Sequence, residues 1–414
     1  MAKRVITLSL MLFILVSTGG CWNRIEPENY SWITWIGLDR MAGGQVKATF
    51  IVTPPLSPVP TGAAPPEDLM LVSSATGNTL FEAVRKVNSH LPKRLFWPYL
   101  QALIIGEDLA RSGVDQYIDA LFRNVRVRKN AWVFITRGST EPIFNIDPQI
   151  EVNPSKLIDS LVKAEQGFLG TSRVIRLKDF QNELEGEGLD AVVATLGVWD
   201  PKNEKVLPPG AKVPKKGELA LDGSAVFQAD KLVGWLSPEE SRACLLAKGE
   251  MKTGLIVIPH PDNSQNLAGV EIISSKAKLS AQMVDDQVIA TIKINVKGNL
   301  GDQRLDVPER RVEGPIEEPD FYRKLGELVE QKIKSDVDKL IIKSQTEFDS
   351  DILGVGDYIM NRYPIDWKKI GPNWRDHYKN AAIDVQVKVE ISTPNIMRSH
   401  PPQGEEGHQS ETGE

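Results

Sequence analysis

The sequence predicts an α+β protein of several domains, in which mixed β-sheets are covered by helices. Its 414 residues are 41% hydrophobic, which is enough apolar material for more than one core. In the first half, strand-like and helix-like segments alternate, an order that is typical of a mixed sheet. The second half combines long antiparallel strands with one long amphipathic helix.

The first twenty residues have the order of a secretory signal. Lys3 and Arg4 give a positive start, an apolar run covers 5–16, and small residues lead to Cys21. The run is shorter than the roughly 20 residues of a membrane-spanning helix. We therefore assign 1–20 to a signal peptide and exclude it from the fold. A signal that ends on cysteine resembles a bacterial lipoprotein signal, in which Cys21 would carry a diacylglycerol anchor with acyl chains such as palmitate. Ordinary secretion with small-x-small cleavage is the alternative.

An N-terminal α/β region is predicted over 22–206, and a break near residue 150 would make it two domains. Its first element is a hairpin over 31–53, followed by a proline-rich loop over 54–66. Apolar periodicity then predicts helices over 79–88, 113–122, 155–168 and 178–185, and strands over 99–105, 130–136 and 192–198. Residues 207–217 are rich in proline, lysine and glycine, so they are predicted to be a linker or a loop.

A C-terminal α+β domain is predicted over 218–393. Ser237 and Glu240 have the spacing of a capping box at the start of a short helix that ends at Gly249. Apolar residues at every second position predict long strands, and spacings of three and four predict a long helix. These elements are the hairpin 219–236, the strands 270–283 and 287–297 joined at 284–286, the helix 320–348 and the strand 383–391. The composition of 394–414 predicts a disordered tail.

Composition and motifs exclude several classes of protein. The formal charge of −6 argues against a nucleic-acid-binding protein. With Cys21 modified, Cys244 is the one remaining cysteine, and its apolar helix predicts a buried structural thiol. The segment 186–191 matches a loose dinucleotide-binding pattern, but its acidic residues and the lack of a preceding strand favour a plain loop. We predict no catalytic residue, no metal site and no cofactor.

Five segments in order resemble the C subunits of nutrient germinant receptors in endospore-forming bacteria, the Ger(x)C family of spore germination lipoproteins. Each segment is weakly specific alone, but the ordered set after a lipoprotein signal is specific. The segments are Cys21 to Glu26 with Trp35 to Asp39, Leu103 to Ala110, Asp222 to Phe227 with Asp230 to Leu236, Asp351 to Gly356 with Tyr363, Pro364 and Trp367, and Trp374 with the strand 383–391.

The resemblance implies three mixed α/β domains without a known catalytic site. It also implies a subunit held by lipid at the outer surface of the spore inner membrane, beside a partly soluble A subunit and an integral-membrane B subunit. The leading hypothesis is thus a non-enzymatic lipoprotein needed for nutrient-triggered germination, with the nutrient involved indirectly or in a way that the sequence does not define. The alternatives are a nutrient-binding lipoprotein, which would hold a small molecule in a cleft, and a surface hydrolase with a scattered site.

Overall fold

A computed structural model describes residues 30–53, 71–91, 93–123, 126–151, 153–304 and 319–392, together with four positions in the first eleven residues. Cys21, the predicted loop 54–66, the predicted tail 394–414 and most of the predicted signal lie outside the described residues. The following paragraphs concern the described ranges.

One large sheet organises the first part of the chain. Its strands are β1 (Tyr30–Arg40), β2 (Val46–Thr53), β3 (Leu71–Gly77), β4 (Arg94–Phe96), β5 (Ala102–Gly106) and β6 (Trp132–Thr136). After a short β7 (Asp147–Pro148) follow β8 (Ile175–Arg176), β9 (Val192–Asp200), β10 (Lys205–Val206), β11 (Lys216–Gly217), β12 (Leu219–Gln228) and β13 (Lys231–Leu236). The main strand order is β13-β12-β9-β6-β5-β1-β2-β3, while β7 and β11 pair with each other. The central strands β1, β5, β6 and β9 are parallel, and the flanking pairs β1–β2 and β9–β12 are antiparallel.

Helices cover both faces of this sheet. They are α1 (Leu80–His90), α2 (Glu107–Ser112), α3 (Asp115–Arg123), α4 (Glu141–Phe144), α5 (Pro154–Ala164) and α6 (Leu177–Glu185). One hydrophobic core lies between the sheet and helices α1, α2, α3 and α6, and a second lies beneath α4 and α5. The predicted helix over 113–122 is α3, while α2 was not predicted. Parallel strands that are buried on both faces agree with the mixed sheet expected from the alternation of elements.

The last part of the chain builds a four-stranded sheet. Its elements are α7 (Pro238–Lys248), β14 (Gly254–Pro259), β15 (Leu267–Val284), β16 (Gln287–Arg304), α8 (Pro319–Lys343), α9 (Val355–Arg362), α10 (Pro364–Ile370), α11 (Trp374–Lys379) and β17 (Ala382–Ser392). The strand order is β14-β15-β16-β17, antiparallel except for the parallel pair β16–β17. The strand β14 was not predicted.

Helix α8 lies on one face of this sheet, as the apolar spacing predicts. Leu325, Val329, Ile333 and Val337 of α8 are each no more than 1% exposed and belong to the same core as the inward-facing residues of β16. The hairpin turn is one residue shorter than predicted. It consists of Asp285 and Asp286, both at positive φ, as in the tight turns that join long twisted strands.

The short helix α7 confirms two predictions made from sequence. The Ser237 hydroxyl accepts a hydrogen bond from the Glu240 N–H at 3.2 Å, and the Glu240 carboxylate accepts one from the Ser237 N–H at 2.8 Å. Gly249 ends the helix in the left-handed conformation. Cys244 is fully buried in this helix, and burial raises the pKa of its thiol to about 11. The thiol is therefore a packing group rather than a nucleophile.

The segment 207–217 is a mostly irregular stretch between strands of one sheet. Strand β9 before it and strand β12 after it pair directly, from Leu219 opposite Val198 to Val226 opposite Val192. Strand β6 before residue 150 and strand β8 after it also lie in this sheet. The domain boundaries at 207–217 and near residue 150 stay predictions. The large sheet itself extends past 207–217, because its last strand ends at Leu236.

Candidate functional site at the junction of the two sheets

Two glycines bring the loop after α6 against the start of α9. The Gly188 carbonyl accepts a hydrogen bond from the Asp357 N–H at 2.8 Å. A Cβ on Gly188 would lie 2.4 Å from the backbone of Gly356 and Asp357, and a Cβ on Gly356 would lie 2.6 Å from the Trp374 ring. No side chain fits at either position. The segment 186–191 is thus a loop, as predicted, and its glycines serve close packing.

Asp351 is buried at the centre of this junction and caps α9. Its Oδ1 accepts hydrogen bonds from the N–H groups of Gly354 at 2.8 Å and Val355 at 3.1 Å. Its Oδ2 accepts one from the Gly356 N–H at 2.7 Å and one from the Trp374 indole at 3.3 Å. Burial, assisted by the nearby charge of Asp190, raises the pKa of Asp351 to about 6, although the N–H donors act in the opposite direction.

Asp190 joins three segments that are distant in sequence. Its carboxylate accepts hydrogen bonds from the N–H of Ala229 in the β12–β13 turn at 2.8 Å and from the N–H of Asp351 at 2.9 Å. The Asp190 N–H donates to the Asp351 carbonyl at 2.9 Å, and Arg375 of α11 lies 3.9 Å from the carboxylate. Burial raises the pKa of Asp190.

A cavity of about 740 Å³ opens beside these carboxylates. Asp349, Trp367, Trp374 and Arg375 are among the residues that line it. The cavity therefore presents indole surfaces, carboxylates and one guanidinium, groups that suit a polar small molecule. Across the described residues, no set of three or more His, Cys, Asp or Glu side chains is placed to hold a metal ion.

Arg173 forms a second polar link between the two sheets. It is 6% exposed and makes two hydrogen bonds with Glu183 of α6, both 2.8 Å, and two with Glu250 after α7, at 2.7 and 2.9 Å. Burial alone would lower the pKa of Arg173, but the two carboxylates raise it well above its usual value. Sequence reasoning missed this cluster because its members are far apart and belong to no motif.

Residues of the family-like segments in the N-terminal sheet also have packing roles. Buried Asp39 accepts hydrogen bonds from the Thr140 N–H at 2.8 Å and from the Thr140 hydroxyl at 2.5 Å. A Cβ on Gly106 would lie 2.2 Å from the Asp39 carboxylate, and a Cβ on Gly37 would lie 2.6 Å from the Phe144 ring. These segments therefore specify how strand ends and helices meet. Cys21, the one site residue predicted from sequence, lies outside the described residues.

Two family models match the chain in succession. The model described as "Spore germination protein N-terminal domain" matches residues 23–198, and "Spore germination B3/ GerAC like, C-terminal" matches residues 222–395. Within the described part of the chain, no helix has both the length and the hydropathy to cross a bilayer.

Curated relatives from Bacillus subtilis (strain 168) match along nearly the whole length. "Putative spore germination protein YfkR" is 25% identical over 96% of this chain and 98% of the relative. "Spore germination protein B3" is 24% identical over 92% and 96% of the two chains, and "Spore germination protein KC" is 24% identical over 96% and 98%.

A solved structure shares the fold. The protein of "Crystal Structure of the GerBC protein" matches with a TM-score of 0.54 and 18% identity, over 86% of this chain and 97% of that one. The likeness confirms the predicted mixed α and β architecture. The two domain models and the relatives indicate a subunit of germinant receptors, which is a non-catalytic kind of protein. The chain belongs to the Ger(x)C family of spore germination proteins, the C-type subunits of germinant receptors.

Proposed function

We propose that this chain is a non-enzymatic lipoprotein subunit of a nutrient germinant receptor, anchored at the outer surface of the spore inner membrane. In the receptor it associates with the A and B subunits. The observation that carries the proposal is the order of the chain, in which a signal that ends on Cys21 precedes both family domains.

The anchor is a diacylglyceryl group in thioether linkage to the Cys21 sulfur. One acyl chain gives only marginal, reversible membrane binding, whereas two chains hold a protein stably. Cys21 is nine residues from the first described strand at Tyr30. A fully extended chain of that length spans about 30 Å. The anchor thus keeps the folded body close to the membrane surface.

Association is the function of the anchored body. Tethering confines it to the plane that contains its partners, so the effective concentration is high and individually weak contacts suffice. The buried links of Arg173 and Asp351 between the two sheets support this reading, because they favour one fixed arrangement of the surfaces that partners would contact.

Co-purification from spore membranes tests the proposal. We expect a tagged chain, extracted with mild detergent from spores that contain all three subunits, to bring down its A and B subunits. Cys21→Ala should lower this recovery, because the body is no longer confined to the membrane. Recovery of the parent chain alone from such membranes would contradict the proposal.

Capture of a small molecule is a second candidate function, favoured by the cavity beside Trp367, Trp374 and Arg375. Thermal unfolding of the purified chain with candidate nutrients distinguishes the two. The first proposal predicts no specific shift in Tm. A shift at millimolar or lower concentration that Arg375→Ala abolishes would favour the second.

A further inference from the structure

The outer face of the C-terminal sheet carries a cluster of lysines in a chain that is acidic as a whole. Alternate residues of β15, β16 and β17 point away from α8, and five of them are exposed lysines. The chain as a whole carries −6, and four exposed carboxylates also lie on this face: Glu271, Asp302, Asp384 and Glu390. In the three adjacent rows of paired residues that hold the lysines, however, Glu390 is the one acidic residue. We call this surface the lysine face, and its lysines are Lys276, Lys278, Lys293, Lys297 and Lys388.

The register places like charges together on this face. Lys278 lies directly opposite Lys293, and Asn295 lies between Lys276 and Lys388. Like charges directly opposite in a sheet are destabilising. Glu390 contacts Lys297 at 3.6 Å and Lys388 at 3.8 Å. Within the described residues, Lys276, Lys278 and Lys293 have no ion pair. Among the described residues, the charges of these three lysines are therefore left uncompensated, and an external anion would neutralise them.

Apolar side chains adjoin the lysine face at the β14 side. Leu255 and Val257 point outward from β14 and are 45% and 48% exposed, and Ile273 of β15 is 51% exposed. Phe168, in the turn that contacts β14, is 75% exposed. Exposed apolar residues beside lysines are the combination found where proteins lie on a charged lipid surface.

We propose that the lysine face docks on a bilayer surface that contains anionic phospholipid. Lysine is depleted at protein–protein interfaces, because fixing its long side chain costs conformational entropy. A fluid layer of headgroups neutralises lysines without fixing them, and the long stems can reach it. The face therefore suits a lipid surface better than a shaped acidic protein.

This inference extends the proposed function, since it names the side of the anchored body that turns toward the membrane. The attraction itself does not depend on the lipid anchor. It can therefore be measured on the full chain carrying Cys21→Ala, and the outcome is separate from whether Cys21 is lipidated.

Sedimentation with vesicles tests the proposal. We expect the Cys21→Ala chain to bind vesicles of phosphatidylcholine and phosphatidylglycerol more tightly than vesicles of phosphatidylcholine alone, with an affinity that falls as salt rises. Adding Lys278→Gln and Lys293→Gln should weaken binding to the anionic vesicles about 25-fold, or about fivefold per lysine. The matched control, Lys202→Gln with Lys205→Gln, removes two exposed lysines of the N-terminal region and should leave binding within about twofold.

The same double variant has a built-in folding control. Because Lys278 and Lys293 repel each other, their replacement should leave Tm unchanged or raise it, so weaker binding cannot reflect unfolding. Equal affinity of the double variant and the control variant, or no preference for anionic vesicles, would overturn the proposal. The proposal would also be overturned if the double variant bound vesicles normally but no longer co-purified with the receptor subunits. That result would assign the face to an acidic protein partner.

Discussion

The two sheets differ in how many of their faces are covered. In β5 of the large sheet, consecutive residues Leu103 and Ile104 are both fully buried, one in each of two cores. In β16 of the smaller sheet, Ile294 is buried and its neighbour Asn295 is exposed. Among the described residues, the large sheet is thus covered on both faces, while the outer face of the smaller sheet is exposed. The difference teaches that, within the described part of the chain, the C-terminal sheet is the one with a face available for the docking proposed above.

Neighbouring alanine substitutions test this difference with the largest expected effect. Leu103→Ala and Ile104→Ala should each lower the free energy of unfolding by about 2–5 kcal/mol, because each leaves a cavity in a separate core. In β16, Ile294→Ala should lower the free energy of unfolding by a similar amount, while Asn295→Ala should change it by no more than about 0.5 kcal/mol. Denaturant titration of the four variants measures this. A large effect of Asn295→Ala would show that the outer face is not free.

The junction between the sheets predicts a dependence of stability on pH. The pKa of Asp351 is raised from 3.8 in the unfolded chain to about 6 in the folded protein. The folded state therefore holds its proton more tightly. Stability from this group is complete below the unfolded pKa and falls as the pH rises through about 6, by about 3 kcal/mol in all.

The variant Asp351→Asn isolates this contribution, because it cannot ionise. In denaturant titrations between about pH 4 and pH 7, the stability of the parent relative to the variant should fall as the pH rises. Parallel pH profiles for the two proteins would contradict the raised pKa of Asp351.

A smaller effect is expected from the glycine contact that joins the sheets. Gly188→Ala should lower the free energy of unfolding by about 1–3 kcal/mol, because its methyl group meets backbone atoms of Gly356 and Asp357. Gly186→Ala is the matched control in the same loop, since the nearest atom to its Cβ is 3.3 Å away. Equal effects of the two substitutions would show that the close approach of Gly188 does not hold the junction.

The smallest effect concerns the open face itself. Lys278→Glu converts a repulsive pair with Lys293 into an attractive one, so the free energy of unfolding should rise by about 0.2–1 kcal/mol. Denaturant titration at low salt measures the change, and high salt should reduce it. A decrease in stability at low salt would show that Lys278 already has a favourable electrostatic environment.

Local patterns in the sequence predicted much of the fold. The alternation in β16, the spacing in α8 and the capping box of α7 each depend on residues close in sequence, so they could be recognised. The short elements α2 and β14 were missed because α2 contains only two apolar residues and β14 shows no alternation of polar and apolar residues. The pairing of β12 with β9 joins strands on both sides of 207–217, which no local pattern reveals.

The candidate site was less predictable than the fold. The loop of Gly188 was recognised as a loop, but its contact with Gly356 joins residues that are far apart in the chain. The Arg173 cluster likewise depends on tertiary structure alone. The solvent-exposed face of β16 was predicted. That Lys278 lies opposite Lys293 could not be predicted, because it depends on the register of the hairpin, which the two-residue turn at Asp285 and Asp286 fixes.

Attachment of lipid to Cys21 is the central claim, and metabolic labelling with a fatty acid tests it most directly. The parent chain and Cys244→Ala, which lacks the other cysteine, should both incorporate label and sediment with membranes. Cys21→Ala should incorporate none and leave the membrane fraction. Label retained by Cys21→Ala, or a parent chain that is unlabelled and freely soluble, would contradict the account.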